Sequence, residues 1–128
     1  EDASCRVVRV VDSAAEPFPG FCRVIWNPHV AEMSELALAD ARHFMDVVFA
    51  TERALRRIML PDKINLASLG NVVPHLHWHV IPRWRDDSHF PAPIWATAQR
   101  SAGLRPAPGH AVLRCALETE LSTTNHTS

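Results

Sequence analysis

The chain is organised around one stretch, Pro74-His75-Leu76-His77-Trp78-His79-Val80-Ile81-Pro82. Successive residues of a β-strand point to opposite faces. An extended conformation therefore places the three histidines on one face and the apolar residues between them on the other. Imidazoles about 7 Å apart on one face add nothing to packing, and they repel one another when charged. The pattern predicts one face for function and one face for packing.

Two kinds of chemistry fit three imidazoles on a shared face. Histidines at alternate strand positions can place two imidazoles on one zinc ion. A metal-free site can instead use a neutral imidazole as a nucleophile and its neighbours as acid, base or hydrogen-bond donor. The residues of the stretch alone leave both alternatives open.

The residues before this stretch predict a hairpin and a long helix. The segments from Ser4 to Val11 and from Phe21 to Trp26 are apolar and partly β-branched, and turn-forming residues separate them. From Ser34 to Met59 apolar residues recur at spacings of three and four, which indicates an amphipathic helix. Ser34 and Asp40 are the two candidate N-caps of that helix.

A third strand is predicted from Lys63 to Leu69, and Gly70-Asn71 forms a turn that leads into the histidine stretch. The short connection makes these two strands antiparallel neighbours. The predicted class is therefore α+β, an antiparallel sheet with one long helix across a face. Trp78 is large enough that we expect it to face this helix and the core.

The chain after Arg83 is rich in proline and predicts an irregular tail. A short helix is expected from Ala111 to Leu121, followed by a polar, frayed end. We therefore expect a domain core at residues 1–83. We expect residues 84–128 to form a C-terminal extension packed on the same domain.

Composition bounds the class of protein. The 128 residues are enough for one domain, and a formal net charge of -1 gives no electrostatic reason to bind nucleic acid or a membrane surface. No apolar run approaches the roughly 18 to 20 residues of a membrane span, and no secretory leader is predicted. The cysteines, Cys5, Cys22 and Cys115, are odd in number and lack a Cys-x-x-Cys pair. This argues against a disulfide framework and a thiolate zinc site, so a cytoplasmic location is expected.

The motif His-Leu-His-Trp-His-Val-Ile resembles the signature of the histidine triad (HIT) family of nucleotide hydrolases and nucleotidyl transferases. The order of the predicted elements is also similar to that family over residues 4 to 83. The resemblance implies a HIT-like fold, and it implies a homodimer because family members commonly pair through the helix and the sheet edges.

The resemblance also implies roles for four histidines. His77 corresponds to the middle histidine of the family motif, which is the nucleophile. His79 resembles the histidine that contacts phosphate oxygens and helps the leaving group to depart. His75 and the upstream His29, just after the second predicted strand, resemble residues that orient and polarise the others.

Three asparagines are the candidate substrate-binding residues. Asn71 lies where many family members have a glutamine before the motif, and Asn65 lies near a polar amide that other members carry on the preceding strand. Both amides can donate hydrogen bonds to charge that develops on a phosphoryl group. Asn27 is a candidate for lining the nucleoside pocket.

The implied function is hydrolysis at the α-phosphate of dinucleoside polyphosphates or related adenylated compounds through a covalent nucleotidyl-histidine intermediate. The ending from Val80 to Arg83 resembles the dinucleoside polyphosphate hydrolases. His79 favours hydrolysis because the uridylyltransferase branch has glutamine there. We expect a purine nucleotide substrate, no tightly bound cofactor or metal, and magnesium arriving only with the substrate. The alternatives are a zinc-dependent hydrolase with the histidines as ligands and a non-catalytic nucleotide-binding protein.

Overall fold

An antiparallel sheet with one long helix across its face forms the body of the protein. The computed structural model describes residues 2–10, 18–103 and 105–127. The elements in chain order are β1 (Cys5–Arg9), β2 (Cys22–Trp26), a short 3-10 turn (Met33–Glu35), α1 (Leu38–Met59), β3 (Lys63–Ala67), β4 (His77–Arg83) and α2 (His110–Thr127).

The four strands of the described chain lie in the order β1-β2-β4-β3, and each neighbouring pair is antiparallel. The predicted α+β class, the pairing of the first two strands and the pairing of the third strand with the histidine strand are confirmed. Val11, the predicted end of the first strand, and residues 12–17 of the predicted turn region lie outside the described residues.

The core lies between the sheet and α1. Val24 and Trp78 are opposite one another on β2 and β4, and both pack in the cluster that α1 completes with Phe44 and Val48. Val24, Phe44 and Val48 are fully buried. The alternation of the histidine stretch explains this arrangement, because its apolar residues share the face toward α1. The expectation that Trp78 faces the helix and the core is confirmed.

α1 begins at Leu38, later than the sequence pattern predicted. Residues 33–35 form a separate 3-10 turn, and Ala37 occupies the N-cap position without a side-chain hydrogen bond. Neither Ser34 nor Asp40 therefore caps the helix. The apolar spacing continues upstream because Met33 also packs against the core. Asp40 lies in the first turn, where its negative charge is favourable at the positive end of the helix dipole.

A buried ion pair fastens the beginning of the C-terminal segment to the sheet. The side chain of Arg83 is only 1% exposed and donates to both carboxylate oxygens of Asp87, at 2.8 and 3.0 Å. Arg83 also donates to Asn65 Oδ1 at 2.7 Å and to the carbonyl of Ala92 at 2.8 Å. Burial opposes ionisation of Asp87, but the hydrogen bonds from Arg83 and from backbone N–H groups lower its pKa to about 2.

α2 packs along α1. It extends to Thr127, beyond the predicted end at Leu121. A helix that has begun adds one hydrogen bond with each further residue, which favours this extension. Arg53 and Arg57 of α1 both contact Glu120 of α2, at 3.1 and 3.6 Å. Neither described helix combines the length and the apolar character needed to cross a membrane.

Candidate active site

The face of the sheet opposite α1 carries functional side chains in register. Strand pairing aligns Arg6 of β1 with Ile25 of β2, and Ile25 with His77 of β4. In the next row Arg23 of β2 lies beside His79 of β4. Directly opposed residues in antiparallel strands have Cβ atoms about 4.5 to 5.5 Å apart, so these side chains share one space.

That space is a cavity of about 710 Å³. Its wall is built from the histidine face of the strands, the loop before the histidine motif and one tryptophan of the C-terminal segment. The lining residues are Arg6, Arg23, Ile25, Leu69, Gly70, Asn71, Val72, Val73, His75, His77, His79 and Trp95. The volume is that of a small-molecule site, and the three histidines of the motif meet in it.

His77 is the first residue of β4 and presents one free ring nitrogen. Its Nδ1 donates to the backbone carbonyl of His75 at 2.6 Å. A neutral imidazole carries a single N–H, so this bond leaves Nε2 with its lone pair. The backbone thus holds His77 in the tautomer that a nucleophile at Nε2 needs.

His75 precedes β4, so the expectation that all three histidines lie within one strand is wrong. Its Nε2 donates to the carbonyl of Trp26 at 2.5 Å, which leaves its Nδ1 as an acceptor. His29 Nδ1 donates to this atom at 3.0 Å. His29 is exposed and joins the cluster through His75, but it does not line the cavity.

His79 is the most enclosed of the cluster, with 5% of its surface exposed. Its ring lies edge-on to the rings of Phe21, His77 and Trp95, with centroid distances of 5.5, 4.9 and 5.2 Å. Burial, together with the nearby charges of His77 and Arg23, lowers the pKa of His79 to about 4. His79 is therefore neutral at pH 7 and has one N–H to donate.

This low pKa predicts a pH-dependent loss of stability. Below the ordinary histidine pKa of about 6.5, the unfolded chain binds a proton that folded His79 accepts only near pH 4. The free energy of unfolding should fall by on the order of 2 kcal/mol as the pH is lowered from 6.5 to 4. Denaturant titrations across this range should show a shallower fall for His79→Asn than for the exposed control His110→Asn. An equal fall of the free energy of unfolding with pH in the two variants would contradict the low pKa of His79.

The three asparagines separate in the structure. Asn71 is exposed and lines the cavity, where a substrate can reach it. Asn65 lies on the same face of the sheet, but its Oδ1 accepts from Arg83 and the residue is absent from the cavity wall. Asn27 accepts from Arg6 Nη1 at 2.5 Å and donates to the carbonyl of Asp2, so it orients Arg6 rather than lining the cavity.

Among the charged and aromatic residues of the cavity wall, sequence reasoning missed Arg6, Arg23 and Trp95. The two arginines had a detectable signal, because each alternates with core residues in its strand and so falls on the histidine face. Trp95 had none, since only the path of the irregular segment after Arg83 brings it to His79.

The described residues contain one group of three side chains whose donor atoms lie within 4.8 Å of one another, namely Asp2, Cys5 and His43. Asp2 accepts from the backbone N–H of Cys5 and contacts His43 Nε2 at 3.0 Å, which ties the first residues to α1. Burial raises the pKa of Cys5 to about 12. None of the three lines the cavity, and the described triad histidines do not bring three donors together in this way.

Solved structures with a similar fold indicate the class of protein. A histidine triad protein from Bradyrhizobium japonicum is 25% identical, with a TM-score of 0.69, covering 95% of this chain and 85% of its own. A histidine triad (HIT) protein from Sinorhizobium meliloti 1021 is 24% identical, with a TM-score of 0.67, covering 92% and 82%. The fold is that of the histidine triad proteins.

The family model of the HIT domain matches residues 1–86, and the chain belongs to the HIT family. The similarity extends to a curated protein, the AP-4-A phosphorylase of Mycobacterium tuberculosis, with 27% identity over 78 residues. That match covers 56% of this chain and 40% of the relative, so the chain spans less than half of the relative's length.

Proposed function

We propose that the protein is a hydrolase that cleaves dinucleoside polyphosphates or related adenylated compounds at the α-phosphate, through a covalent intermediate on His77. One observation carries the proposal. The 2.6 Å hydrogen bond from His77 Nδ1 to the carbonyl of His75 leaves His77 Nε2 as the ring nitrogen with a lone pair. This atom belongs to a cavity wall that also contains two arginines. A neutral imidazole in this state is a good nucleophile near pH 7.

The reaction has two steps. In the first, His77 Nε2 forms a bond to the α-phosphorus while the bond to the bridging oxygen breaks, and the leaving phosphate takes the electron pair. In the second, water attacks the same phosphorus, the phosphorus–nitrogen bond breaks, and Nε2 recovers its lone pair as the water proton is released. The products are a nucleoside monophosphate and the remaining nucleotide.

Neighbouring groups have supporting roles in this proposal. Neutral His79 donates its N–H to a phosphoryl oxygen, and its enclosed position makes that hydrogen bond stronger than it would be in water. Asn71 supplies a second donor from the loop. His75 and His29 act indirectly, because their chain of hydrogen bonds to Trp26 fixes the backbone that holds His77. Magnesium enters with the substrate's phosphates and leaves with the products.

Inorganic phosphate is a second candidate for the molecule that accepts the nucleotidyl group from His77. The similarity to a protein named AP-4-A phosphorylase favours it. Inorganic phosphate in place of water would attack the nucleotidyl group on His77 and release a nucleoside diphosphate. The first step is the same in both reactions, so the product identifies the acceptor.

The experiment is turnover of diadenosine tetraphosphate by the intact protein, with and without inorganic phosphate. Each assay is repeated after zinc chelation with magnesium resupplied. We expect AMP and ATP as products, unchanged by chelation. ADP formed only with added phosphate would make the protein a phosphorylase, and turnover lost on chelation would favour the zinc alternative. Nucleotide binding without turnover of this substrate or of adenosine 5′-phosphoramidate would leave a binding protein.

We also propose that the enzyme is a cytoplasmic homodimer. The cysteines of the described chain are all free, as in a protein of the reducing cytoplasm. We expect a homodimer, which light scattering of the purified protein would measure as twice the mass of one chain.

A further inference from the structure

Two arginines stand beside the candidate nucleophile on the same face of the sheet. Arg6 and His77 lie in one row with Ile25 between them, so the backbones that carry them are two strand spacings apart, about 10 Å. Arg23 lies in the next row, a diagonal neighbour of both, with Cα separations of about 7 to 8 Å. The long arginine side chains can therefore reach one extended ligand that starts at His77.

No carboxylate of the described residues compensates the charges of Arg6 and Arg23. Within residues 2–10, 18–103 and 105–127, neither guanidinium forms an ion pair with a carboxylate. The cavity wall contains both arginines and no aspartate or glutamate. Arg6 is oriented by the neutral amide of Asn27, which fixes its position without removing its charge. A chain with a net charge of -1 thus has a local excess of positive charge at this cavity.

Arg23 also has a donor without a partner. Its Nε is buried and forms no hydrogen bond with any described residue, while its guanidinium carbon lies 5.7 Å from the centroid of the Phe21 ring. A buried polar group without a partner is costly, and such groups in native proteins commonly belong to ligand sites. Phosphate is the ligand that matches a guanidinium, because its oxygens accept two parallel N–H bonds.

We propose that Arg6 and Arg23 form a phosphate subsite that holds the leaving group, so that the enzyme selects nucleotides with a polyphosphate chain over those with a small neutral leaving group. The inference rests on the proposed function, because it takes the α-phosphate to lie at His77. As the bond to the bridging oxygen breaks, negative charge grows on the leaving phosphate, and two fixed guanidinium groups stabilise it. An amine leaving group carries no such charge and gains nothing from them.

The test compares two substrates in four proteins. The kcat/KM for diadenosine tetraphosphate is divided by the kcat/KM for adenosine 5′-phosphoramidate. The proteins are the intact chain, Arg6→Gln, Arg23→Gln and Arg42→Gln, the last of which removes the same charge from the exposed surface of α1. We expect the ratio to fall by about 10- to 100-fold in Arg6→Gln and Arg23→Gln and to stay constant in Arg42→Gln. A fifth protein, Arg23→Lys, keeps the charge without the planar fork, and its ratio should lie between those of the intact chain and Arg23→Gln.

A binding measurement separates this subsite from the catalytic proposal. The intact protein should bind ATP at least about 10-fold more tightly than AMP, as read from the intrinsic tryptophan fluorescence, to which Trp95 in the cavity wall contributes. Arg23→Gln should remove most of that difference. Equal substrate ratios in all four proteins, or equal affinity for ATP and AMP, would overturn the subsite while leaving hydrolysis intact. Failure to turn over either substrate would overturn the proposed function, and the ATP and AMP affinities would then decide on the subsite alone.

Discussion

His77→Ala should lower kcat for diadenosine tetraphosphate by about 10⁴-fold or more, because the variant has no atom that can form the bond to phosphorus. The loss should fall on kcat rather than on binding, since Arg6, Arg23 and Asn71 keep their places in the cavity wall. Initial rates of AMP release, together with the affinity for ATP, would separate the two. His110→Ala, a change of an exposed histidine at the start of α2, is the matched control and should keep full activity.

Chemical rescue makes this result specific to a nucleophile. His77→Gly leaves space beside the α-phosphate, and added imidazole should restore part of the turnover by attacking phosphorus in place of the missing ring. The intact protein, denatured rapidly at neutral pH during turnover, should carry a nucleotidyl group on His77 by mass spectrometry. If His77→Ala retained more than about a tenth of the activity, the covalent mechanism would be abandoned.

The largest effect on stability should come from Asp87→Ala. The variant leaves the guanidinium of Arg83, only 1% exposed, without its anionic partner, and it removes the acceptor of several backbone N–H groups. Removing one member of a buried ion pair costs about 3 to 5 kcal/mol, a large part of the stability of a domain this size. Urea unfolding should therefore begin at a much lower concentration, while Glu118→Ala, which breaks an exposed ion pair with Arg114, should change little.

The ion pair of Arg83 and Asp87 also makes the stability of the fold depend on pH. Asp87 has a pKa of about 2 in the folded protein and an ordinary pKa of about 4 in the unfolded chain, so the pair stabilises the fold above pH 4. This stabilisation should be lost as the pH falls from 4 to 2 and should be missing in Asp87→Ala. A variant with the stability and acid response of the intact chain would show that Arg83 finds another anionic partner.

Arg83 links the stability of the fold to its site. Arg83 donates a hydrogen bond to Oδ1 of Asn65, a residue that the sequence analysis predicted to bind the substrate. Its bond to Ala92 also anchors the segment that carries Trp95 to the cavity. The cation also lies 5.6 Å from the ring centroid of Phe18 and 5.7 Å from that of Phe90. Loss of this arrangement should therefore disturb the wall beside His79 as well as the stability.

Local periodicity made much of the fold predictable. The alternation from His75 to Val80 placed the histidines on one face and Trp78 on the other, and the spacing of three and four identified α1. The starting residue of α1 could not be predicted in this way, because the 3-10 turn at residues 33–35 continues the same apolar spacing. The resemblance of the motif to the HIT family was confirmed by the match over residues 1–86.

The sequence by itself determined which residues alternate, which repeat along a helix and which family motif they form, because these patterns depend on neighbours close in the chain. Only the tertiary structure decided that a backbone carbonyl accepts a hydrogen bond from His77 Nδ1 and that Arg6 and Arg23 line the same cavity. It also decided that the side-chain oxygen of Asn65 accepts a hydrogen bond from Arg83. These outcomes depend on strand register and on the docking of a distant segment. Such contacts form only when the whole chain has folded, so no local pattern records them.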